Sequence, residues 1–226
     1  MNIMVKSFLT FLLLFVFQNF SYAGEVVSWK FKTGGIVYAT PLIVNNTVYI
    51  GSEDNNLYAI NFDDGSEIWH YEAGNKILST AAYSNEVICF ESGNVLYGLN
   101  TDGTEKWKVT ITEGTVTNHY DDWDYFHSSP NIVDGIAYVG SERGQVIGVN
   151  IQTGEEVFRI DTGDKGVGIH VKPAIWENKI YFGECSGKFY CYNINTKEKE
   201  WEYDKHVVCD GHDPEGNIFQ LRAPIH

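Results

Sequence analysis

Histidine and acidic side chains are concentrated at residues 119–127, together with Trp123, and at residues 206–215, and His170 ends a short stretch between them at residues 166–170. Carboxylates with backbone carbonyls suit Ca²⁺, whereas histidine combined with aspartate and cysteine suits a transition metal. No spacing in these stretches matches an EF-hand or a zinc ribbon, so the identity of any metal stays unknown. The candidates for a ligand-binding face are His119, Asp121, Asp122, Trp123, Asp124, His127, His170, His206, Asp210, His212 and Asp213.

Two interpretations of these stretches stay open: a metal or ligand site, and polar loops that are only solvated. Loops on a rigid scaffold commonly carry recognition, so we expect a protein or small-molecule ligand at the loop-rich face. His127 and His170 each precede a proline by three residues, and we expect both imidazoles near the centre of the fold. There they would contact an ion or ligand, or cap a loop through backbone hydrogen bonds, and the sequence favours neither role.

Groups for catalysis are harder to find than groups for binding. The sequence shows no nucleophile–base pair, no glycine-rich phosphate loop and no two adjacent cysteines. We therefore assign no catalytic residue, and the cofactor-binding residues stay unknown.

A repeated unit of four short strands must position the polar stretches. The units lie near residues 39–74, 79–110, 128–163 and 172–204, and a fifth begins at 222–226. One four-stranded sheet cannot bury both of its faces alone, so neighbouring units must stack around an axis. The sequence predicts an all-β fold, a β-propeller of four-stranded antiparallel blades, with about four blades present and an incomplete ring.

An aromatic residue recurs near the end of each unit, and we expect it to pack between blades. These structural docking residues are Trp29, Trp69, Trp107, Phe158 and Trp201.

The segments 58–69, 97–107, 147–158 and 190–201 resemble the tryptophan-docking motif of the quinoprotein-like (PQQ-like) repeat family. The family pattern is Ala-x-Asp-x-x-Thr-Gly-(Lys/Glu)-x-x-Trp. The chain departs from it in two ways: Asn replaces Asp in every unit, and Phe158 replaces one Trp. Both replacements are expected to keep the turn and the packing between blades, so the resemblance still implies a propeller.

The resemblance implies three kinds of function, and a fold alone does not choose among them. One is a non-catalytic binding scaffold, similar to the propeller subunit of the outer-membrane β-barrel assembly machinery. The alternatives are a fragment of a dehydrogenase that holds pyrroloquinoline quinone (PQQ) with Ca²⁺, and an extracytoplasmic sensor domain. We favour the scaffold, for which no cofactor is expected, and PQQ with Ca²⁺ is expected only for the dehydrogenase. The assembly subunit is a lipoprotein, and this chain lacks a cysteine acceptor at its predicted cleavage site.

The start of the chain predicts export. Residues 1–23 have a charged beginning, an apolar run at 8–17 and small residues at Ser21 and Ala23, which is the pattern of a secretory signal peptide. The remaining residues, 24–226, are expected to be periplasmic or secreted, with no membrane span. The formal net charge of −14 disfavours nucleic acid as a partner.

The two ends of the repeat array raise the question of ring closure. Residues 26–32 resemble a lone last strand, and residues 222–226 resemble the opening of a further unit. We interpret the sequence as part of a longer propeller, and a four-bladed ring closed by residues 26–32 is the alternative.

The four cysteines separate into two groups. Cys185 and Cys209 are predicted on the loop-rich face within one unit, so a disulfide between them is expected to compete about evenly with free thiols. Cys89 and Cys191 fall on strands, where we expect buried thiols that behave as small hydrophobic residues.

Overall fold

The computed structural model describes residues 28–112, 128–163 and 167–204. The chain divides into two compact units, residues 1–30 and 31–226. In the first unit, residues 28–30 lie outside any strand. In the described part of the second unit there are sixteen strands and no helix, so the all-β prediction is confirmed.

The strands form four antiparallel sheets, each with its strands in chain order. The first sheet contains β1 (Leu42–Val44), β2 (Thr47–Gly51), β3 (Asn56–Asn61) and β4 (Glu67–Glu72). The second contains β5 (Ala82–Ser84), β6 (Val87–Ser92), β7 (Val95–Asn100) and β8 (Glu105–Thr110). The third contains β9 (Asn131–Val133), β10 (Ile136–Gly140), β11 (Gln145–Asn150) and β12 (Glu156–Asp161). The fourth contains β13 (Ala174–Trp176), β14 (Lys179–Gly183), β15 (Lys188–Asn193) and β16 (Lys199–Asp204). We call these sheets blades 1 to 4, and the strands within a blade A to D.

Strands A and B of each blade are joined by a two-residue hairpin. Both turn residues have positive φ, as at Asn45 (47°) and Asn46 (63°). That geometry defines a type I′ turn, whose twist matches the right-handed twist of the paired strands. Asn tolerates it because its short polar side chain visits the left-handed region more readily than other residues.

The turn between strands C and D depends on the Asn that departs from the family pattern. The Oδ1 atom of Asn61 accepts a hydrogen bond from the backbone N–H of Asp63 at 2.8 Å. Asn150 accepts the equivalent bond from Gln152 at 2.9 Å, and Asn193 accepts it from Asn195, also at 2.9 Å. A side-chain amide oxygen therefore performs the turn-stabilising role that a carboxylate would perform in the same place.

The B–C turns and the D-to-A connections lie on the same side of the array. The N–H of Ala73, just after β4, donates to the carbonyl of Asn55 in the B–C turn at 2.8 Å. In blade 3, Thr162 donates to Gly144 at 2.9 Å. We call this side the BC face; it comprises the B–C turns at 52–55, 93–94, 141–144 and 184–187 with the connections at 73–81 and 167–173.

Neighbouring blades share apolar cores. One core joins blades 1 and 2 through residues such as Leu57 and Phe90. A second joins blades 2 and 3 around Leu96 and Val149, and a third joins blades 3 and 4 around Val146 and Phe182. Among the described residues, these cores link the blades in chain order and none joins blade 4 to blade 1. The fold is therefore an incomplete β-propeller of four blades.

The predicted docking aromatics occupy three kinds of environment. Trp69 donates its indole N–H to the carbonyl of Thr101 in blade 2 at 3.1 Å. Phe158 is buried at the boundary with blade 4, where the ammonium of Lys197 lies 5.7 Å from its ring centre. Trp201, on the last described strand, is 42% exposed. A cation–π contact thus replaces the indole contact where Phe replaces Trp.

The predicted last strand at residues 26–32 falls partly outside the described residues. Residues 28–32 belong to no strand, so they show no last strand, and the alternative of a four-bladed ring closed by this segment finds no support in them. No helix in the described parts of the chain is long and apolar enough to cross a membrane.

Candidate functional site

Most of the predicted ligand-face residues lie outside the described parts of the chain. Of that set, the structure places His170. The others, which stay predictions, are His119, Asp121, Asp122, Trp123, Asp124, His127, His206, Asp210, His212 and Asp213. The expected pairing of His127 with His170 is likewise outside what the structure describes.

The segment that carries His170 is fixed by hydrogen bonds on both sides. The N–H of Ile169 donates to the carbonyl of Ser141 in blade 3 at 2.9 Å, and the N–H of Cys185 donates to the carbonyl of Gly168 at 3.0 Å. After the histidine, the hydroxyl of Ser128 donates to the carbonyl of Val171 at 2.9 Å. Ile169 is fully buried in the core between blades 3 and 4. The backbone around His170 is therefore a tether between two blades rather than a loose loop.

The imidazole of His170 lies between a carboxylate and a thiol. Its Nε2 atom is 2.9 Å from Oε2 of Glu142, in the B–C turn of blade 3. Its Nδ1 atom is 3.3 Å from Sγ of Cys185, in the B–C turn of blade 4. The side chains of His170 and Glu142 are 12% and 26% exposed, and Cys185 is exposed to solvent. The structure thus places a Cys–His–Glu triad on the BC face.

Gly168 leaves the space that the triad needs. A Cβ atom added at this position would lie 2.2 Å from Nε2 of His170 and 2.9 Å from Oε2 of Glu142. Any side chain at residue 168 would therefore displace the imidazole or the carboxylate. The absence of a side chain here permits the His170–Glu142 contact.

The neighbours of His170 set its protonation. Burial by itself lowers the pKa of the imidazole, because it penalises the charged form. The hydrogen bonds to Cys185 and Glu142, together with their negative charges, outweigh burial and raise the pKa of His170 to about 10. At neutral pH the imidazole of His170 is therefore protonated, and it lies between the sulfur atom of Cys185 and the carboxyl group of Glu142.

This arrangement suits proton transfer better than metal binding. The two partners of His170 approach its two different ring nitrogens, which point to opposite sides of the ring, so the three groups cannot converge on one ion. Within the described residues, no group of three or more His, Cys, Asp or Glu side chains could hold a metal ion. A thiol, an imidazole and a carboxylate in this order form the arrangement of a cysteine nucleophile with its base and an orienting acid.

The connection between blades 1 and 2 makes a simpler contact in the corresponding region. The ammonium of Lys76, on the connection after blade 1, lies 2.9 Å from Oε1 of Glu53 in the B–C turn of that blade. Leu78 occupies the sequence position that corresponds to His170. The BC face therefore carries an ordinary ion pair between blades 1 and 2 and a thiol-containing triad between blades 3 and 4.

Sequence reasoning identified His170 but not its two partners. The signal was available, because Glu142 and Cys185 each open a B–C turn in the repeat alignment, in neighbouring units. The connection that carries His170 was also predicted to emerge on the side of those turns. Three separate loops on one face form the triad, and the sequence alone did not indicate that they touch.

The cysteines fall where expected as far as they are described. Cys89 and Cys191 are fully buried, which confirms their predicted burial, and burial raises the pKa of the Cys89 thiol to about 12. The Sγ atom of Cys185 contacts Nδ1 of His170. Cys209 lies outside the described residues, so the disulfide from Cys185 to Cys209 stays a prediction.

Comparison with known proteins gives consistent results for sequence and for fold. The model of the family described as outer membrane protein assembly factor BamB matches residues 23–218. The BamB of Yersinia pestis is 26% identical over 182 residues, which cover 76% of this chain and 45% of that protein. The chain thus spans about half the length of the curated relatives it matches.

Solved structures share the fold at lower identity. The crystal structure of BamB from Moraxella catarrhalis superposes with a TM-score of 0.67 at 17% identity, covering 80% of this chain and 57% of that one. The quinohemoprotein alcohol dehydrogenase from Comamonas testosteroni gives a TM-score of 0.64 at 16% identity, covering 82% and 37%. At such identities the likeness concerns the fold alone, and the fold is shared by an assembly factor and an enzyme.

Proposed function

The chain belongs to the family of the outer membrane protein assembly factor BamB, and we propose on that basis that it is an exported, non-catalytic propeller that binds proteins during outer-membrane assembly. The observation that carries the proposal is the family match over residues 23–218, which includes every described blade. The named relatives are assembly factors, and this chain would take the same role. Because the chain spans about half the length of these relatives, their role in outer-membrane assembly is assigned to it as a proposal.

The architecture supports a binding role through its rigidity. Each described blade is a single four-stranded sheet, and adjacent blades are joined by buried apolar cores. Turns held on such a scaffold keep one shape, so a partner binds them without the cost of ordering a flexible loop. We propose the BC face as the binding surface, because the described D-to-A connections lie on it and the sequence predicts that the long polar stretches are D-to-A connections as well. The partner would be a protein of the outer-membrane assembly pathway.

Export is part of the same proposal. An assembly factor of the outer membrane must cross the inner membrane, and residues 1–23 have the pattern of a signal peptide. The net charge of −14 fits a protein that avoids nucleic acid and anionic lipid surfaces. We place the mature protein in the periplasm.

A gene deletion in the source bacterium tests the function. Folded outer-membrane β-barrels migrate differently from unfolded ones on unheated gels, so the folded fraction is measured directly. We expect the deletion to lower that fraction and the wild-type gene to restore it. A gene that lacks the codons for residues 2–23 serves as the control and should fail to restore it. An unchanged folded fraction in the deletion strain contradicts the proposal.

The dehydrogenase alternative is tested on purified protein. PQQ and Ca²⁺ are added to the protein, and dye-linked oxidation of alcohols is followed. The binding role predicts no oxidation above a sample without protein. Oxidation that requires both PQQ and the protein would replace the binding role with an enzymatic one.

A further inference from the structure

The triad on the BC face has chemistry that a binding scaffold does not require. We propose that Cys185 is a thiol–disulfide exchange site for low-molecular-weight disulfides, with His170 as the group that holds its proton and Glu142 as the residue that positions His170. This inference does not depend on the role in outer-membrane assembly. It rests on three contacts: Glu142 to His170, His170 to Cys185, and the backbone bond between Cys185 and Gly168.

The geometry meets the requirements for a reactive cysteine. The thiolate is the nucleophile in exchange reactions, and a neighbouring imidazolium favours that form. The Sγ atom of Cys185 lies 3.3 Å from Nδ1 of His170, within reach for proton transfer. Cys185 is exposed, whereas Cys89 and Cys191 are fully buried. Among the described thiols, Cys185 is therefore the one that combines access to solvent with a neighbouring imidazole.

The imidazole is held firmly enough to act repeatedly on the same sulfur. Residues 169 and 171 on either side of it are bonded to Ser141 and Ser128, and Glu142 fixes the far side of the ring. Because Glu142 bonds to Nε2, the Nδ1 atom faces Cys185. Glu142 does not touch the sulfur, so it acts through the orientation and charge of His170.

Two ionisable groups in the described part of the chain contact the two ring nitrogens of His170. Glu142 approaches from the β10–β11 turn and Cys185 from the β14–β15 turn. Glu184, next to Cys185, accepts hydrogen bonds from the hydroxyls of Tyr190 at 2.8 Å, Ser186 at 2.7 Å and Thr162, after blade 3, at 3.2 Å, so both oxygens of its carboxylate are engaged by other groups. Arg143 adjoins Glu142 in the same turn. The pH dependence of the thiol should therefore report on His170 and Glu142.

The exchange step balances without any further oxidant. The step begins from the pair in which the protonated His170 holds its Nδ1–H toward a Cys185 thiolate, and Sγ of that thiolate attacks one sulfur of the disulfide R–S–S–R′. A bond forms between Sγ and the sulfur that carries R, and the original S–S bond breaks. The leaving sulfur of R′ takes the electron pair and receives the proton from His170. The products are a mixed disulfide at Cys185 and the thiol R′–SH, so the incoming disulfide is the oxidant.

The test measures the rate at which reduced, full-length mature protein forms a mixed disulfide at Cys185 with oxidised glutathione. Peptide mass spectrometry separates Cys185 from Cys209. We expect the wild-type protein to react at about pH 6 roughly tenfold faster than His170→Gln, because an ordinary thiol is almost fully protonated there. Near pH 9 the two rates should converge, since the thiol then ionises without help.

Glu142→Gln provides the second variant, because it keeps the size and hydrogen-bonding capacity of the side chain but removes its charge. We expect an intermediate rate at about pH 6 and, as for His170→Gln, convergence near pH 9. Circular dichroism checks that each variant is folded, and Glu53→Gln, in the ion pair between blades 1 and 2, is the matched control with wild-type rates. Equal rates at about pH 6 in the wild type and both variants overturn the proposal. A Cys185–Cys209 disulfide that forms during the reaction supports it if its rate falls in His170→Gln, and overturns it otherwise.

Discussion

The indole Nε1 of Trp107 in blade 2 donates a hydrogen bond of 2.7 Å to the carbonyl oxygen of Ile151 in blade 3. The ring is 8% exposed and packs in the apolar core that joins these blades. This contact shows how the repeat works, because an aromatic side chain at the end of one blade both fills the boundary and bonds to the next blade. The contribution of the Trp107 contact to the free energy of unfolding can be measured by comparison with Trp201, which holds the same repeat position in blade 4.

Trp107→Ala should destabilise the protein by about 3–5 kcal/mol, the usual cost of removing a large buried aromatic side chain. Trp201→Ala, at a 42% exposed position, should cost about 1 kcal/mol or less, because mutations at exposed positions rarely cost more. Denaturant unfolding of the protein without residues 1–23 gives both values. Equal losses in the free energy of unfolding for the two variants would show that packing of this aromatic residue between blades does not stabilise the protein.

Gly154→Ala tests how closely the backbone of Gly154 packs against the side chain of Trp107. Gly154 has a φ of 74°, and an added Cβ would lie 2.7 Å from the Cβ of Trp107. Gly135 has a similar φ of 77° but no atom within 4 Å of an added Cβ. Both replacements carry the cost of a left-handed backbone, about 1–2 kcal/mol, and Gly154→Ala should cost about 1–3 kcal/mol more because of overpacking. A smaller loss for Gly154→Ala than for Gly135→Ala would contradict the packing seen here.

Glu86→Gly should stabilise the protein. Glu86 is the second residue of the A–B turn of blade 2 and has a φ of 63°, a conformation that Gly adopts without strain. We expect a gain of about 0.5–1 kcal/mol in the free energy of unfolding. Asn178→Gly is the matched control, since Asn178 holds the same turn position with a φ of 61° and Asn already tolerates it. A gain at Asn178 as large as the gain at Glu86 would argue against relief of strain at Glu86.

The raised pKa of His170 should appear in the pH dependence of stability. The pKa is about 10 in the fold, against 6.5 for an unperturbed histidine. A raised pKa stabilises the folded state fully below about pH 6.5, and this contribution is lost as the pH rises through about 10. The stability difference between the wild type and His170→Gln should therefore be largest near pH 6 and shrink up to about pH 10. Unfolding curves across this range give the difference in the free energy of unfolding. A difference that stays constant or grows with pH would contradict a raised pKa of His170 in the folded state.

The sequence predicted the repeated strands well because strand and turn signals are local. Each predicted unit contains one four-stranded sheet, and the turns fall at Asn and Gly residues as at Asn45 and Asn46. The replacement of Asp by Asn in the C–D turns was expected to be tolerated, and Asn61 shows the hydrogen bond that makes it so. Alternating apolar residues with fixed turn chemistry are enough to define such a blade.

The triad and the docking at blade 4 were harder to predict because they depend on contacts between distant loops. Glu142 and His170 are 28 positions apart, and their contact depends on the register of two blades. The replacement of Trp by Phe158 is matched by Lys197 in the next blade, a pairing that single-sequence patterns do not reveal. Such contacts require the relative placement of blades, which periodicity does not encode.

The central claim is that the BC face binds a protein of the outer-membrane assembly pathway, and crosslinking in living cells tests it most directly. A photoreactive amino acid replaces Lys172, which is exposed on the connection into blade 4, or Thr196, which is exposed in the C–D turn on the opposite side of that blade. We predict that the probe at residue 172 crosslinks to a component of the β-barrel assembly machinery and that the probe at residue 196 does not. Crosslinks to that machinery from residue 196 alone, or from neither position, would contradict the account.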